Sequence, residues 1–381
     1  MVRFAVIGMG PIGSMHVDNL MAGKIPDAEI VCACEQRPVN DPKYASLKIY
    51  PDVDQMLAAG GFDAVIVSTP SFTHFPLAKK CLEAGFHTLV EKPIALCTSD
   101  AIELCDFAKK CGKTCAIMLN QRTTPLYARI KELVEKGEIG EINRVSWTMS
   151  NWYRPDIYFA SSPWRGTWKG EAGGALINQS IHNIDIWAWV FGMPKSLRAW
   201  CKFGKYHNIE VEDEVVCRME LANGSNATFI TSTGEYPGAN RLEIAGDKAF
   251  VVAENDTLTI TRFVDSSLSD YTKNTVYMFG SPDTETQVEK FDSKGEQHVG
   301  VLKNFVEALE GRGTLGFDGM QGELSLELAN AMLLSAWTDS AVSLPLDHAQ
   351  YKKMLDEKIA ASKLRENPRR DAVVDFKKSF K

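Results

Sequence analysis

The segment VRFAVIGMGPIG, residues 2–13, decides the fold. A short apolar run ends in Gly8, Gly10 and Gly13, spaced GxGxxG, and a helical pattern begins at once. In such a strand-to-helix turn the first glycine allows the tight bend and the second lets the backbone approach a pyrophosphate. The third lets helix and strand pack closely, and the helix N-terminus turns its positive end to the phosphates. Pro11 and Ile12 complete the turn. The next apolar run ends at Glu35, about 20 residues on by the usual spacing, where a carboxylate accepts the ribose hydroxyls. A carboxylate repels a 2′-phosphate, so the pattern favours NAD over NADP; Arg37, two residues later, keeps NADP open.

Working outward, the first third alternates short apolar runs with helical patterns: EIVCACE, FDAVIVST, FHTLVE and KTCAIMLN. Runs that are apolar throughout imply strands covered on both faces, hence a doubly wound parallel sheet, expected over residues 1–122. From residue 123 the character changes. A helix, PLYARIKELVEKGEIG, leads to the strand INRVSWTMSNWY and a long aromatic loop. Six strand candidates with short connections then imply a large, mostly antiparallel sheet, so residues 123–381 read as a second α/β domain. Within it, 346–381 reads as a C-terminal tail, whose basic stretch KLRENPRRDAVVDFKKSFK is expected to be solvated or to meet another subunit.

The formal charge of −7 gives no basis for nucleic-acid binding, which needs a concentrated basic surface. The nine cysteines lack both a disulfide-scaffold spacing and a CxxC pair, so no metal is expected and a reducing compartment fits. With a strand expected from residue 2 and no apolar run reaching about 18 residues, neither a secretory leader nor a membrane span is expected. The expected location is cytoplasmic.

The third strand ends in Ser68, Thr69 and Pro70, where a loop at the carboxyl edge of the sheet passes over a dinucleotide. His74 follows, read mainly as a structural hydrogen-bonding group. The fourth strand closes on Glu91-Lys92-Pro93, facing the crevice where a nicotinamide belongs. A lysine desolvated there can hydrogen-bond a reacting hydroxyl or carbonyl at a pKa near neutrality. In EAGGALINQSIHNIDIWAW, after a flexible Gly173-Gly174, helical spacing puts Asn178, His182 and Asp185 on one face. There His182 reads as general acid or base, Asn178 as a substrate hydrogen-bonding group and Asp185 as an orienting or structural partner.

GMGPIG, STPSFTHFPLAKKCLEAGFHTLVEKPIAL, NQRTTPLYARIKELVEKGEIGEI and GGALINQSIHNID together resemble the Gfo/Idh/MocA family of NAD(P)-dependent sugar and cyclitol oxidoreductases, in order over residues 1 to 345. The resemblance implies a Rossmann domain, a second domain with an open sheet that often mediates oligomerisation, and a homo-oligomer, dimer or tetramer. It implies that Lys92 and His182 carry the chemistry on a carbohydrate substrate. It also suggests that Asn120, Arg122, Trp164 and Arg165 approach the nicotinamide end, Arg122 contacting substrate or forming an interdomain salt bridge. Many members carry aspartate where this chain has Asn178, which removes a His–Asp relay and shifts proton transfer onto Lys92 and His182. The expected activity is hydride transfer between nicotinamide and a ring hydroxyl of a sugar or glycoside. The alternatives are a redox-neutral enzyme that oxidises C3 transiently before elimination, and a non-catalytic NAD-binding regulator.

Seven of the eight tryptophans lie between residues 147 and 200, so aromatic rings concentrate in the loop between domains. Trp147, Trp187, Trp189 and Trp200 read as helix or sheet residues. Trp152, Tyr153, Tyr158, Trp164 and Trp168 read as substrate or cofactor contacts, since indole stacks on the CH face of a pyranose.

Overall fold

The computed structural model describes residues 1–373 except 367 and 370. In chain order the elements of the first part are β1 (Val2–Ile7), α1 (Pro11–Met21), β2 (Ala28–Cys34), β3 (Lys48–Tyr50), α2 (Val53–Ala59), β4 (Ala64–Val67), α3 (His74–Glu83), β5 (His87–Val90), α4 (Thr98–Cys111) and β6 (Cys115–Ile117). Then come α5 (Pro125–Glu135), β7 (Ile142–Met149), α6 (Asp156–Ala160), α7 (Trp168–Glu171), α8 (Ile181–Phe191), β8 (Ser196–Phe203), β9 (Glu212–Glu220) and β10 (Asn226–Ser232). The chain continues through β11 (Asn240–Gly246), β12 (Ala249–Glu254), β13 (Thr257–Phe263), α9 (Leu268–Asn274), β14 (Thr284–Lys290), α10 (Gln297–Leu309), α11 (Gly319–Thr338), β15 (Val342–Ser343) and α12 (His348–Ala361).

The first sheet runs β3-β2-β1-β4-β5-β6 with every pair parallel. All of β4 and all but one residue of β1 are buried, as strands covered on both faces must be. Ile7 pairs with Cys34 on one side and Val67 on the other, so Gly8, Glu35 and Ser68 leave the sheet along one edge. Strand order reverses between β1 and β4, which opens the crevice there.

The second sheet runs β14-β13-β12-β11-β7-β10-β9-β8-β15, antiparallel except for β7 beside β10. Its strands alternate: Trp147, Cys217 and Phe229 are buried under the helices, whereas Trp200, Val216 and Val288 are exposed on the other face. Helix α8 lies over the buried face, and α11 packs on both α8 and β8.

Helices from the second part return to the first sheet. Val301, Leu302, Phe305 and Val306 of α10 are buried against Phe4, Val6, Ile66 and Leu89. Each such side chain contributes about 1.5–3 kcal/mol over leaving it in water. This packing brings His298 within 5.5 Å, ring centre to ring centre, of His16 on α1.

The expectation of a tail from residue 346 is corrected. Helix α12 is capped by Asp347 and buries Tyr351 and Leu355. The basic stretch beyond it is docked at Arg365 and Arg369: the Arg365 N–H donates to Pro163 O (2.7 Å), Arg365 Nε to Arg165 O (3.1 Å) and the Arg369 N–H to Ala160 O (2.8 Å). The aromatic loop supplies enough free carbonyls to hold these donors. Residues 367, 370 and 374–381 of that stretch lie outside the described residues. Among the described residues no helix is long and apolar enough to cross a membrane.

Candidate active site at the carboxyl edge of the first sheet

The glycines divide by what a side chain would meet. A Cβ on Gly13 would stand 1.8 Å from Gly8 O, and one on Gly8, at φ +93°, would stand 2.3 Å from Ser68 O. Those two glycines are required by packing within the chain. A Cβ on Gly10 meets nothing within 4 Å, and no side chain caps α1, whose first turn holds Pro11 and Ile12. The bare helix N-terminus beside Gly10 fits a dinucleotide pyrophosphate. Glu35 Oε2 accepts the Met9 N–H (3.0 Å) and Oε1 accepts the N–H and Nε of Arg37 (3.1 and 3.2 Å). Burial pushes the Glu35 carboxyl up, but these donors outweigh it and leave it below its ordinary range. A cleft of about 340 Å³ lined by Met9, Glu35, Arg37, Asn40 and Tyr44 opens there, with room for an adenosine ribose beside the carboxylate.

Two strands across, Glu91 and Lys92 follow β5. Glu91 Oε1 takes a hydrogen bond from His16 Nε2 (2.8 Å), with His298 Nε2 at 3.9 Å. Burial alone would raise this carboxyl; His16, His298 and Lys92 hold it well down, at about 2. Lys92 Nζ donates to the backbone carbonyl of Asn178 (2.8 Å), joining the two halves of the crevice. Burial lowers the ammonium to about 8, opposed by Glu91 and Glu171 and aided by Arg165 and Arg154. Near neutral pH such a lysine can take or return a proton.

The other wall is the segment 164–182. Gly174 could carry no Cβ, which would stand 2.2 Å from Glu212 O, so Gly173-Gly174 allows close packing and not flexibility. Buried Glu212 Oε1 accepts the Gly174 and Leu176 N–H groups, both at 2.8 Å. The single helical face expected for Asn178, His182 and Asp185 is also corrected: Ala175–Gln179 form a π-helical turn and α8 begins only at Ile181. The break lies between Asn178 and α8, so it is Asn178 whose direction changes relative to His182 and Asp185, which share that helix. Asp185 is taken by Arg122: it is fully buried and holds the guanidinium by two bonds, to Nη2 (2.6 Å) and Nε (2.8 Å), while Arg122 Nη1 reaches Gln321 Oε1 (3.1 Å). Arg122 thus stands in a buried pair between the two parts of the chain.

Asn178 Nδ2 donates to Tyr158 Oη (3.3 Å) and to Glu171 Oε1. Glu171, wholly buried, also takes the Gly166 N–H on Oε2 (2.6 Å). Burial pushes it up to about 7 against the pull of Arg165, Gly166, Asn178 and Lys92. His182 stacks on Trp152, ring centres 6.4 Å apart, and burial together with Lys92 drives its pKa far down, so the ring is neutral. Its Nδ1 is buried without a partner.

The remaining expected residues scatter. His74 sits between Pro93 O (2.7 Å) and Thr69 O (2.8 Å), tying the Ser68-Thr69-Pro70 loop to the Lys92 turn; burial lowers the ring's pKa from its ordinary value while the two carbonyls oppose the shift. Asn120 Nδ2 donates to Gln297 (2.7 Å) and leaves its Oδ1 buried and unpaired, an acceptor aimed at no protein group. Trp164 lies under Arg165 (4.4 Å). Tyr153 is exposed against Tyr236, and Trp168 is a core residue against Trp337 and Phe203. Sequence reasoning missed Glu171, Arg154, His16 and His298. Glu171 carried a signal, a lone carboxylate two residues before the glycine pair; His298 carried none, since only the return of α10 brings it to Glu91.

Residues 2–119 match the oxidoreductase family with an NAD-binding Rossmann fold and 127–252 the Gfo/Idh/MocA C-terminal domain, together more than half of the chain. D-glucoside 3-dehydrogenase of Escherichia coli is 25% identical, covering 90% of this chain and 97% of its own. Inositol 2-dehydrogenase of Rhizobium meliloti is 24% identical, covering 90% and 99%. The WlbA dehydrogenase of Chromobacterium violaceum, solved with NADH and UDP-GlcNAcA, superposes with a TM-score of 0.75 at 28% identity, covering 91% and 96%. A glycine turn shaped for a dinucleotide, a tuned lysine two strands away and both domain matches lead to one assignment: the chain belongs to the Gfo/Idh/MocA family of NAD-dependent oxidoreductases.

Proposed function

We propose that the protein oxidises a ring hydroxyl of a sugar, glycoside or related polyol, or reduces the corresponding ketone, with Lys92 as the proton-transferring group. NAD, when bound, supplies the hydride acceptor. Lys92 Nζ, lowered to about 8, takes the hydroxyl proton as the C–H bond breaks and returns it in the reverse direction. Asn178 anchors Lys92 through its carbonyl and presents its amide, fixed by Glu171 and Tyr158, to the ring hydroxyls. Neutral His182 is a second hydrogen-bonding group, held by its stacking on Trp152. Glu35 selects NAD over NADP.

The observation that carries this reading is Lys92, held at the crevice between Glu91 and the Asn178 carbonyl with its proton affinity brought near neutrality. The exposed apolar residues Trp200, Val216 and Val288 on the open sheet support a homo-oligomer contact on that face, and nine free cysteines support a cytoplasmic location. The test is NADH absorbance with purified protein, NAD and a panel of sugars, glycosides, uronates and inositols. Reduction with one substrate class, abolished by Lys92→Met, is the expected result. Tightly bound NAD with no net reduction across the panel would point instead to an internally recycling enzyme or a silent binder.

A further inference from the structure

We propose that Arg154 and Arg165, on either side of Tyr158, form a subsite for a negatively charged group on the substrate, making that substrate an acidic sugar bearing a carboxylate or a phosphate. The inference rests on the sugar-oxidoreductase reading and deepens it.

The two guanidinium carbons lie 5.3 Å and 4.1 Å from the centre of the Tyr158 ring. Tyr158 Oη in turn meets Arg165 Nη1, Asn178 Nδ2 and Gln179 Nε2, so both cations stand beside the residue that anchors Lys92. Two like charges on one ring repel unless something negative joins them. Among the described residues no carboxylate lies within 4 Å of either, although exposed arginines elsewhere are ion-paired, Arg3 with Asp63 and Arg241 with Glu254 among them. The Nε atoms of both arginines are buried without a partner. Burial also pushes the Arg154 guanidinium below its ordinary range, with Arg165 adding to the effect.

Neighbouring acids are engaged elsewhere. Glu171 bonds Asn178 and Gly166 and acts on Arg165 only at longer range, without an ion-pair contact, and Asp213 takes the N–H groups of Lys205, Tyr206 and His207. The N-terminus of α1, which fits the pyrophosphate of NAD, follows β1, whereas Lys92, on whose side of the crevice the arginine pair stands through Tyr158 and Asn178, follows β5 two strands away. Arg365 and Arg369 hold the loop backbone at Ala160, Pro163 and Arg165, and Arg154 is fixed separately, its N–H donating to Thr233 O and its Nη1 to Tyr153 O. Planar guanidinium forks match carboxylate and phosphate oxygens.

The test is calorimetric titration of the protein–NADH complex with paired ligands: glucose and glucuronate, galactose and galacturonate, glucose and glucose 6-phosphate. At least one acidic member should bind tenfold or more tightly than its neutral partner, and the uronate and phosphate arms identify the group. Arg154→Gln should cut that preference roughly tenfold to a hundredfold, with Arg154→Lys intermediate. The Lys variant keeps the charge and serves should Arg154→Gln fail to fold. Equal binding in every pair, no binding of any acidic member, or a preference untouched by both variants overturns the proposal. Turnover on the same panel separates the two readings. Arg154-dependent binding of an acidic sugar without hydride transfer sinks the dehydrogenase and leaves the subsite; oxidation of neutral sugars without acidic preference does the reverse.

Discussion

Two buried carboxylates flank Lys92, and the chain treats them in opposite ways. Glu91, on the Rossmann wall, meets an imidazole at 2.8 Å, a second imidazole and the lysine itself, and is held at about 2. Glu171, on the substrate wall, meets an amide and a backbone N–H and is pushed up to about 7. Burial raises both; what differs is whether a cationic partner overrides it. One wall therefore carries a fixed charge, and the other carries a group that titrates in the range where Lys92 also titrates. The site is tuned by this asymmetry more than by any single residue.

The sharpest break of that comparison removes the group both walls address. Lys92→Met should lower kcat/KM by about 10²- to 10⁴-fold while leaving NAD affinity within a few-fold, measured by steady-state kinetics and by nucleotide titration. Next comes the pair that holds the walls together. Arg122→Ala strands Asp185 in the interior, and chemical unfolding should show a loss of about 3–5 kcal/mol; Arg122→Ala/Asp185→Ala together should recover part of it.

The two carboxylates themselves should then show stability effects of opposite sign. Glu91 binds its proton more weakly folded than unfolded, so its stabilisation is present above the unfolded value and is lost as pH falls toward 2. Glu91→Gln should cost on the order of 3 kcal/mol at pH 7 and less at pH 4. Glu171 binds its proton more tightly folded than unfolded, so its contribution is present below the unfolded value and is lost as pH rises through 7. Wild type should lose on the order of 3 kcal/mol relative to Glu171→Gln between pH 4.5 and pH 8, whatever constant offset the lost hydrogen bond adds. Parallel pH slopes for the two variants would remove the asymmetry. The smallest effect lies farthest away: Glu35→Ser should shift the NAD-to-NADP preference by about tenfold, read from the two KM values.

The Rossmann wall was legible because its signals are local. A glycine turn, strand-ending charges and apolar runs each act within a few residues, so β1, α1, β2, β4, β5 and the Lys92 turn could be read directly. The edge strand β14, TETQVEK, could not, since a polar edge strand lacks the apolar pattern that marks its neighbours. Helical periodicity put Asn178 on one face with His182 and Asp185 only by assuming an unbroken α-helix, which the π-helical turn at 175–179 interrupts; the pairing of Asp185 with Arg122 is a contact between the two parts of the chain that periodicity does not encode. Glu171, Arg154 and His298 acquire their positions from contacts made across loops and between domains, which no spacing rule encodes. Trp168 illustrates the converse, an aromatic residue in a polar loop that the fold folds inward onto Trp337.

The proton-transfer role of Lys92 is tested most directly by the pH dependence of kcat/KM for sugar oxidation at saturating NAD, in wild type, Glu171→Gln and Lys92→Met. The rate should rise toward a plateau above about pH 8 as Lys92 loses its proton, displaced to lower pH in Glu171→Gln because the glutamate charge raises the lysine. Lys92→Met should lack that limb altogether. An unchanged limb in Lys92→Met, with activity within tenfold of wild type, would contradict the assignment of Lys92 as the proton acceptor.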